Sequence, residues 1–128
     1  MNIDHIAIWA KDPKALKEFY VRYFSAVAGE RYYNPSKEFT SYFLTFPDEG
    51  ARLELMNVPE IADRGIPDKY PGYCHIAISL GCKDKVDTLT ERMRADGVVI
   101  IGNPRTTGDG YYESVVADPE GNIVELCA

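Results

Sequence analysis

His5-Ile6-Ala7-Ile8, near the start of the chain, returns as His75-Ile76-Ala77-Ile78. Each copy is followed by a glutamate between aliphatics, 49 residues on at Leu53-Glu54-Leu55 and 50 residues on at Val124-Glu125-Leu126. The chain has two histidines, and both occupy equivalent places in this repeat. A single histidine on an apolar strand is ordinarily a hydrogen-bonded structural residue. A single glutamate between aliphatics is ordinarily the exposed residue of a half-buried strand. Four such residues at matched spacing point to a duplicated module, each copy giving one imidazole and one carboxylate to a shared site.

Working outward from the repeat, both halves read βαβββ. In the first, a strand from His5 to Trp9 is followed by Asp12-Pro13, a helix start with Asp as the cap and Pro at the first helical position. Leu16, Phe19, Tyr20, Tyr23 and Phe24 recur at helical spacing on one face, and Gly29 is expected to end the helix region. Strands are predicted over Arg31–Tyr33, Phe39–Phe46 and Ala51–Asn57, with Pro47-Asp48-Glu49-Gly50 as a turn. The second half repeats the order. A strand spans Tyr73–Leu80, and a helix spans Lys83–Asp96 with Val86, Leu89 and Met93 inward and Gly97 at its end. Strands follow at Val98–Ile101, Tyr111–Ala117 and Asn122–Cys127, with Asp118-Pro119-Glu120-Gly121 as the matching turn. Between the halves, 58–72 carries Pro59, Gly65, Pro67, Pro71 and Gly72 and reads as a linker. The expected organisation is one domain over 1–128, with module one at 1–57 and module two at 73–128.

Strand alternation decides where the four side chains point. His5 and Ala7 share one face and Ile6 and Ile8 the other; the same holds for His75 and Ala77 against Ile76 and Ile78. Glu54 lies opposite Leu53 and Leu55, and Glu125 opposite Val124 and Leu126. The aliphatic faces are expected to pack under the helices, leaving His and Glu on the faces away from them. Two neutral imidazoles and two carboxylates form a donor set suited to zinc, nickel, cobalt, manganese or iron(II), with positions left for water or substrate oxygens. Such an ion acts as a Lewis acid on a carbonyl oxygen and stabilises an enediolate. A carboxylate beside it can shuttle the proton of the adjacent carbon.

Composition narrows the classes further. The chain has 128 residues, 45% of them hydrophobic and 27% charged, enough for a real core without disulfide or metal staples. A net charge of −6 argues against non-specific nucleic-acid binding, which depends on basic side chains neutralising phosphates. No apolar run approaches the ~18 residues of a membrane span. Met1-Asn2-Ile3-Asp4 leads directly into a strand without a basic stretch and apolar leader, and Cys74, Cys82 and Cys127 form no CxxC pair. Reduced thiols and cytoplasmic residence are expected.

The layout resembles the vicinal oxygen chelate superfamily, which includes glyoxalase I, methylmalonyl-CoA epimerase, extradiol dioxygenases, fosfomycin-resistance enzymes and bleomycin-binding proteins. The resemblance spans essentially the whole chain. It is strongest at Asp4-His5-Ile6-Ala7-Ile8, at Gly72-Tyr73-Cys74-His75-Ile76-Ala77-Ile78-Ser79, and at Asp118-Pro119-Glu120-Gly121-Asn122-Ile123-Val124-Glu125-Leu126. It implies an α+β fold of two tandem βαβββ modules, forming a curved mixed sheet around a metal site. His5, Glu54, His75 and Glu125 look like the glyoxalase I ligand set, with Glu125 or Glu54 as the proton-transfer base and one divalent ion as cofactor. The implied reaction converts a glutathione–methylglyoxal hemithioacetal to S-lactoylglutathione, in an expected homodimer whose paired modules come from one chain or from two. At two glutathione-holding positions the chain departs from glyoxalase I. Trp9 stands where that enzyme has an arginine, and Val58, beside Asn57, where it has an asparagine.

Other residues enter as expectations. Arg52 shares a strand face with Glu54 and is a candidate clamp for a substrate carboxylate or phosphate, unless a neighbouring acid engages it. Trp9, Met56, Tyr73 and Tyr111, together with Tyr42 and Tyr112, are candidates for an apolar substrate wall. Thr106-Thr107-Gly108-Asp109-Gly110 lacks phosphate-loop spacing and reads as a flexible hairpin loop or a lid. Cys74 is expected in the core, and Cys127 on the ligand-side face as a small buried hydrophobe. Two alternatives stand beside the glyoxalase-like reading. One is another superfamily enzyme, an epimerase or dioxygenase; the other is a metal-free module that sequesters a small aromatic compound.

Overall fold

The computed structural model describes residues 1–63 and 71–128. The chain divides into two compact units, Met1–Gly65 and Ile66–Ala128. Of the linker expected over 58–72, residues 64–70, with Gly65 and Pro67, lie outside the described residues.

The first unit runs β1 (His5–Trp9), α1 (Pro13–Phe24), β2 (Val27–Ala28), β3 (Tyr32–Asn34), β4 (Phe39–Thr45) and β5 (Arg52–Asn57). Its five-stranded sheet has the order β1-β5-β4-β2, with β3 also on β4. β1 pairs with β5 in parallel, and the other pairings are antiparallel. Parallel neighbours need a crossover, which α1 begins. Asp12 caps α1 by accepting from the backbone N–H groups of Lys14 at 3.1 Å and Ala15 at 2.9 Å, while Pro13 opens the first turn. Gly29 does not end this helix. Ser25 does, in the left-handed region at φ 53°, and the chain then passes straight into the short β2. β2 and β3 line one edge of β4, β2 against Leu44 and Thr45 and β3 against Phe39–Ser41. A one-residue slip between them marks a bulge at Glu30–Arg31. Together they fill the place of one strand, so the unit keeps the βαβββ order. Leu16, Phe19, Tyr20 and Phe24 of α1 are buried, with Leu44, Leu53 and Leu55 from the sheet. Asp12→Ala is expected to cost about 1 kcal/mol, the usual worth of a lost N-cap, measurable as a lower urea midpoint with unchanged slope.

The second unit runs β6 (His75–Ser79), α2 (Lys83–Ala95), β7 (Ile100–Thr106), β8 (Tyr112–Ala117) and β9 (Ile123–Cys127). Its four-stranded sheet has the order β6-β9-β8-β7, again with the first and last strands of the unit paired in parallel. Gly97 follows α2 at φ 83°, a conformation open to glycine and costly for most other residues. β7 is longer than the sequence indicates, reaching Thr106 through two register shifts. The remaining hairpin loop is closed by Thr107 N–H to Tyr111 C=O at 2.8 Å. Val86 and Met93 of α2 are buried as expected, but Leu89 is half-buried and its neighbour Thr90 takes the interior place. There Thr90 Oγ1 donates to Val86 C=O at 2.6 Å and lies 2.6 Å from Ser114 Oγ, so the buried hydroxyls are satisfied. Val116, Val124 and Leu126 complete this core.

The protein is therefore α+β, two βαβββ modules each with its own mixed sheet and one helix on it. Among the described residues, no helix is long and apolar enough to cross a membrane.

Candidate functional site

Strand pairing brings each histidine beside its glutamate. In the first unit, parallel register sets His5 against Arg52 and Ala7 against Glu54, so His5 and Glu54 are diagonal neighbours on one face. The second unit sets His75 against Ile123 and Ala77 against Glu125 in the same way. Leu53, Leu55, Val124 and Leu126 point oppositely and are buried, so His and Glu stand on the face away from the helix in both units. His5 Nε2 lies 3.8 Å from Glu54 Oε2, and His75 Nε2 lies 3.2 Å from Glu125 Oε2. The imidazoles are about two-fifths exposed, whereas the carboxylates are only 16% and 19% exposed. The residue directly beside each glutamate is an alanine, Ala7 or Ala77, whose side chain is only a methyl group.

The surroundings of the two pairs differ. Beside His5, Asp4 Oδ2 lies 2.8 Å from Nδ1 and also accepts from Arg52 Nη2 at 2.5 Å. The His5 imidazole and then the Arg52 guanidinium hold the Asp4 carboxyl below its ordinary value. The Arg52 guanidinium lies 4.5 Å above the Phe43 ring, whose edge contact with His5 has a centroid separation of 5.4 Å. Arg52, a candidate anion clamp from sequence, is thus engaged by a neighbouring acid. Beside Glu125, the pairing of β8 with β9 places Glu113 opposite Cys127. Ligating atoms of Glu113, Glu125 and Cys127 all lie within 4.8 Å of one another. Arg105 Nη2 donates to Glu113 Oε1 at 3.2 Å. Burial pushes the Cys127 thiol above its ordinary value, and the Glu125 and Glu113 charges add to the shift, so it stays protonated near neutral pH.

The aromatic candidates separate. Trp9 is 53% exposed on the His5 face and meets Phe39 edge-on at 6.4 Å, with Tyr32 a further 6.1 Å from Phe39. Met56 is half-buried on the same face as Glu54. Tyr73 and Tyr111 are exposed beside β6 and β8. Tyr42 and Tyr112 do not belong to either site face. Tyr42 alternates to the helix side under Lys17, and Tyr112 donates to Asp87 Oδ1 of α2 at 2.6 Å. Cys74 is exposed rather than core, because β6 begins only at His75 and the residue before it has left the sheet. Sequence reasoning passed over Asp4, Phe43 and Glu113. Glu113 was traceable by counting back from the Asp118–Gly121 turn, which places it on the Glu125 face. Asp4 has no counterpart in the repeat, where Cys74 precedes His75, so the repeat itself gave no sign of it.

A family model described as the Glyoxalase/Bleomycin resistance protein/Dioxygenase superfamily matches residues 2–126. Among solved structures, glyoxalase I from Zea mays superposes with a TM-score of 0.79 at 24% identity, covering 98% of this chain and 44% of that one. The present chain therefore spans less than half the length of the maize enzyme. A glyoxalase family protein from Enterococcus faecalis gives a TM-score of 0.80 at 22% identity, covering 99% and 97%. A glyoxylase/bleomycin resistance protein/dioxygenase domain from Frankia sp. EAN1pec gives 0.83 at 14% identity, covering 99% and 96%. No curated protein matches the chain. At these identities the structural likeness establishes the fold.

Proposed function

The chain belongs to the glyoxalase/bleomycin resistance protein/dioxygenase superfamily, and from that membership we propose a divalent-metal-dependent lyase or isomerase, glyoxalase-I-like, acting on the hemithioacetal of a 2-oxoaldehyde and a thiol. The observation that carries the proposal is the His/Glu pair on one sheet face of each unit, at 3.8 Å and 3.2 Å. Two donors on one ion, at bond lengths of about 2.0–2.2 Å, stand about 3–3.5 Å apart at octahedral or tetrahedral angles. The His75–Glu125 pair has that spacing, and a small rotation of Glu54 gives it to the other. His5, Glu54, His75 and Glu125 are the proposed ligands, drawn from both modules of one chain or of two in a homodimer.

When bound, the ion supplies Lewis-acid polarisation of the substrate oxygens. The chain's own residues do the rest. Glu125, or its counterpart Glu54, takes the proton from the carbon that bears sulfur and returns it to the neighbouring carbonyl carbon. The net change is an isomerisation to an α-hydroxy thioester. Trp9, Met56, Tyr73 and Tyr111 are the proposed apolar wall for the substrate. With Trp9 in place of a glutathione-holding arginine, the thiol is to be established by assay rather than assumed to be glutathione.

One observation favours a second reading, the metal-free capture of a small aromatic compound. Trp9, Phe39 and Tyr32 form an aromatic group beside the His5 face, well suited to stacking. Elemental mass spectrometry of tag-free protein purified without chelator separates the two. Close to one nickel, zinc, cobalt, manganese or iron per chain is expected, with hemithioacetal isomerisation that a chelator abolishes and the same metal restores. Protein that holds no metal and takes up none on reconstitution would leave the capture reading.

A further inference from the structure

The two half-sites have the same ligands but different supports. On the His5 side, four side chains close a ring. Asp4 Oδ2 contacts His5 Nδ1 at 2.8 Å, and Arg52 Nη2 donates to the same oxygen at 2.5 Å. Arg52 lies over Phe43, and Phe43 packs its edge against His5. The Asp4 backbone is fixed as well, since Arg52 N–H donates to Asp4 C=O at 2.9 Å. His75 differs at each place. Cys74 precedes it, and the register puts Ile123 where Arg52 stands and Val115 where Phe43 stands. Among the described residues, the polar contact of His75 is to Glu125, with Nε2 3.2 Å from Oε2.

An ionised carboxylate only accepts hydrogen bonds, so the nitrogen facing Asp4 must be the one that carries hydrogen. That leaves Nε2 of the neutral ring with its lone pair free, and Nε2 is the nitrogen nearest Glu54. The Asp4 side chain is 70% exposed and would hold this contact poorly alone. Arg52, itself held over Phe43, supplies the second anchor.

We propose that Asp4, held by Arg52, is a positioning residue that fixes the tautomer and ring orientation of His5, so that this half-site is preorganised whereas the His75 half-site is not. The proposal rests on the metal-site reading for its purpose but not for its test. A carboxylate or carbonyl partner behind a ligating imidazole typically changes metal affinity about 10–100-fold when removed.

The first arm of the test uses metal-free protein labelled with nitrogen-15 in histidine, observed above the pH range in which imidazole titrates. In the wild type, His5 should be predominantly the Nδ1–H tautomer. Asp4→Ala should shift it toward a mixture while leaving His75 unchanged, and Asp4→Asn, which keeps an acceptor oxygen, should restore part of it. Arg52→Met should produce a smaller shift in the same direction. The second arm titrates cobalt(II) by its visible spectrum, and Asp4→Ala should weaken binding about 10–100-fold. An unchanged His5 tautomer in Asp4→Ala would overturn the proposal. An altered tautomer with unchanged cobalt affinity would overturn the preorganisation of this half-site, leaving Asp4 a residue that orients His5 without strengthening metal binding. A wild type that takes up no cobalt would defeat the metal reading, and the tautomer arm alone would then decide whether Asp4 positions His5.

Discussion

Glu125→Gln is expected to lower the turnover of hemithioacetal isomerisation about 100–10,000-fold, the usual worth of a positioned general base. Glutamine keeps the shape and one ligating oxygen but cannot take the substrate proton. The substitution should spare the core, because the neighbours Val124 and Leu126 point to the opposite, fully buried face. Metal content measured on the same preparation separates loss of the base from loss of the ion. Glu54→Gln run beside it identifies the base: with both variants loaded, the slower one has lost it. In a binding module, capture of an aromatic ligand would be nearly the same with either residue. Undiminished turnover in loaded Glu125→Gln protein would remove Glu125 from that role.

Leu126→Ala should have the largest effect on stability, about 2–5 kcal/mol for a buried leucine whose cavity closes only in part. Leu126 is fully buried in β9, opposite Ser114 across the pair with β8 and on the side where α2 packs. Urea unfolding followed by circular dichroism should show the loss as a lower midpoint. If the two units unfold in separate steps, only the step belonging to Ile66–Ala128 should move. Leu126→Met, which nearly conserves volume, should cost less than about 1.5 kcal/mol. A loss below that in Leu126→Ala would mean the cavity collapses and the α2 interface is loosely packed.

The features legible in the sequence were those that depend on period and repetition. Alternation alone placed His5, Glu54, His75 and Glu125 on the faces away from the helices, and the Asp12-Pro13 pair fixed the start of α1. Features that depend on irregular backbone were not legible. The Ser25 end of α1, a non-glycine residue at positive φ, carries no compositional mark, and Gly29 drew attention away from it. The bulged edge strands shifted boundaries for the same reason, since a slip in register leaves no trace in hydrophobic patterning. Thr90 replaced Leu89 in the core because Ser114 waits across the sheet, a partner visible only once the strands are paired. Arg52 offered two roles in sequence, and the proximity of Asp4, 48 residues earlier, supplies the partner for one of them.

Within each unit, and among the described residues, His5 and His75 sit on strands at one end of the sheet order, with β1 paired to β5 and β6 to β9. End strands open by local fluctuation far more easily than a domain unfolds. Pairing of each five-residue first strand with the last strand of its unit is therefore expected to open by local fraying before the unit unfolds as a whole. A ligand that spans the first and last strands of a module would act as a clasp on that seam.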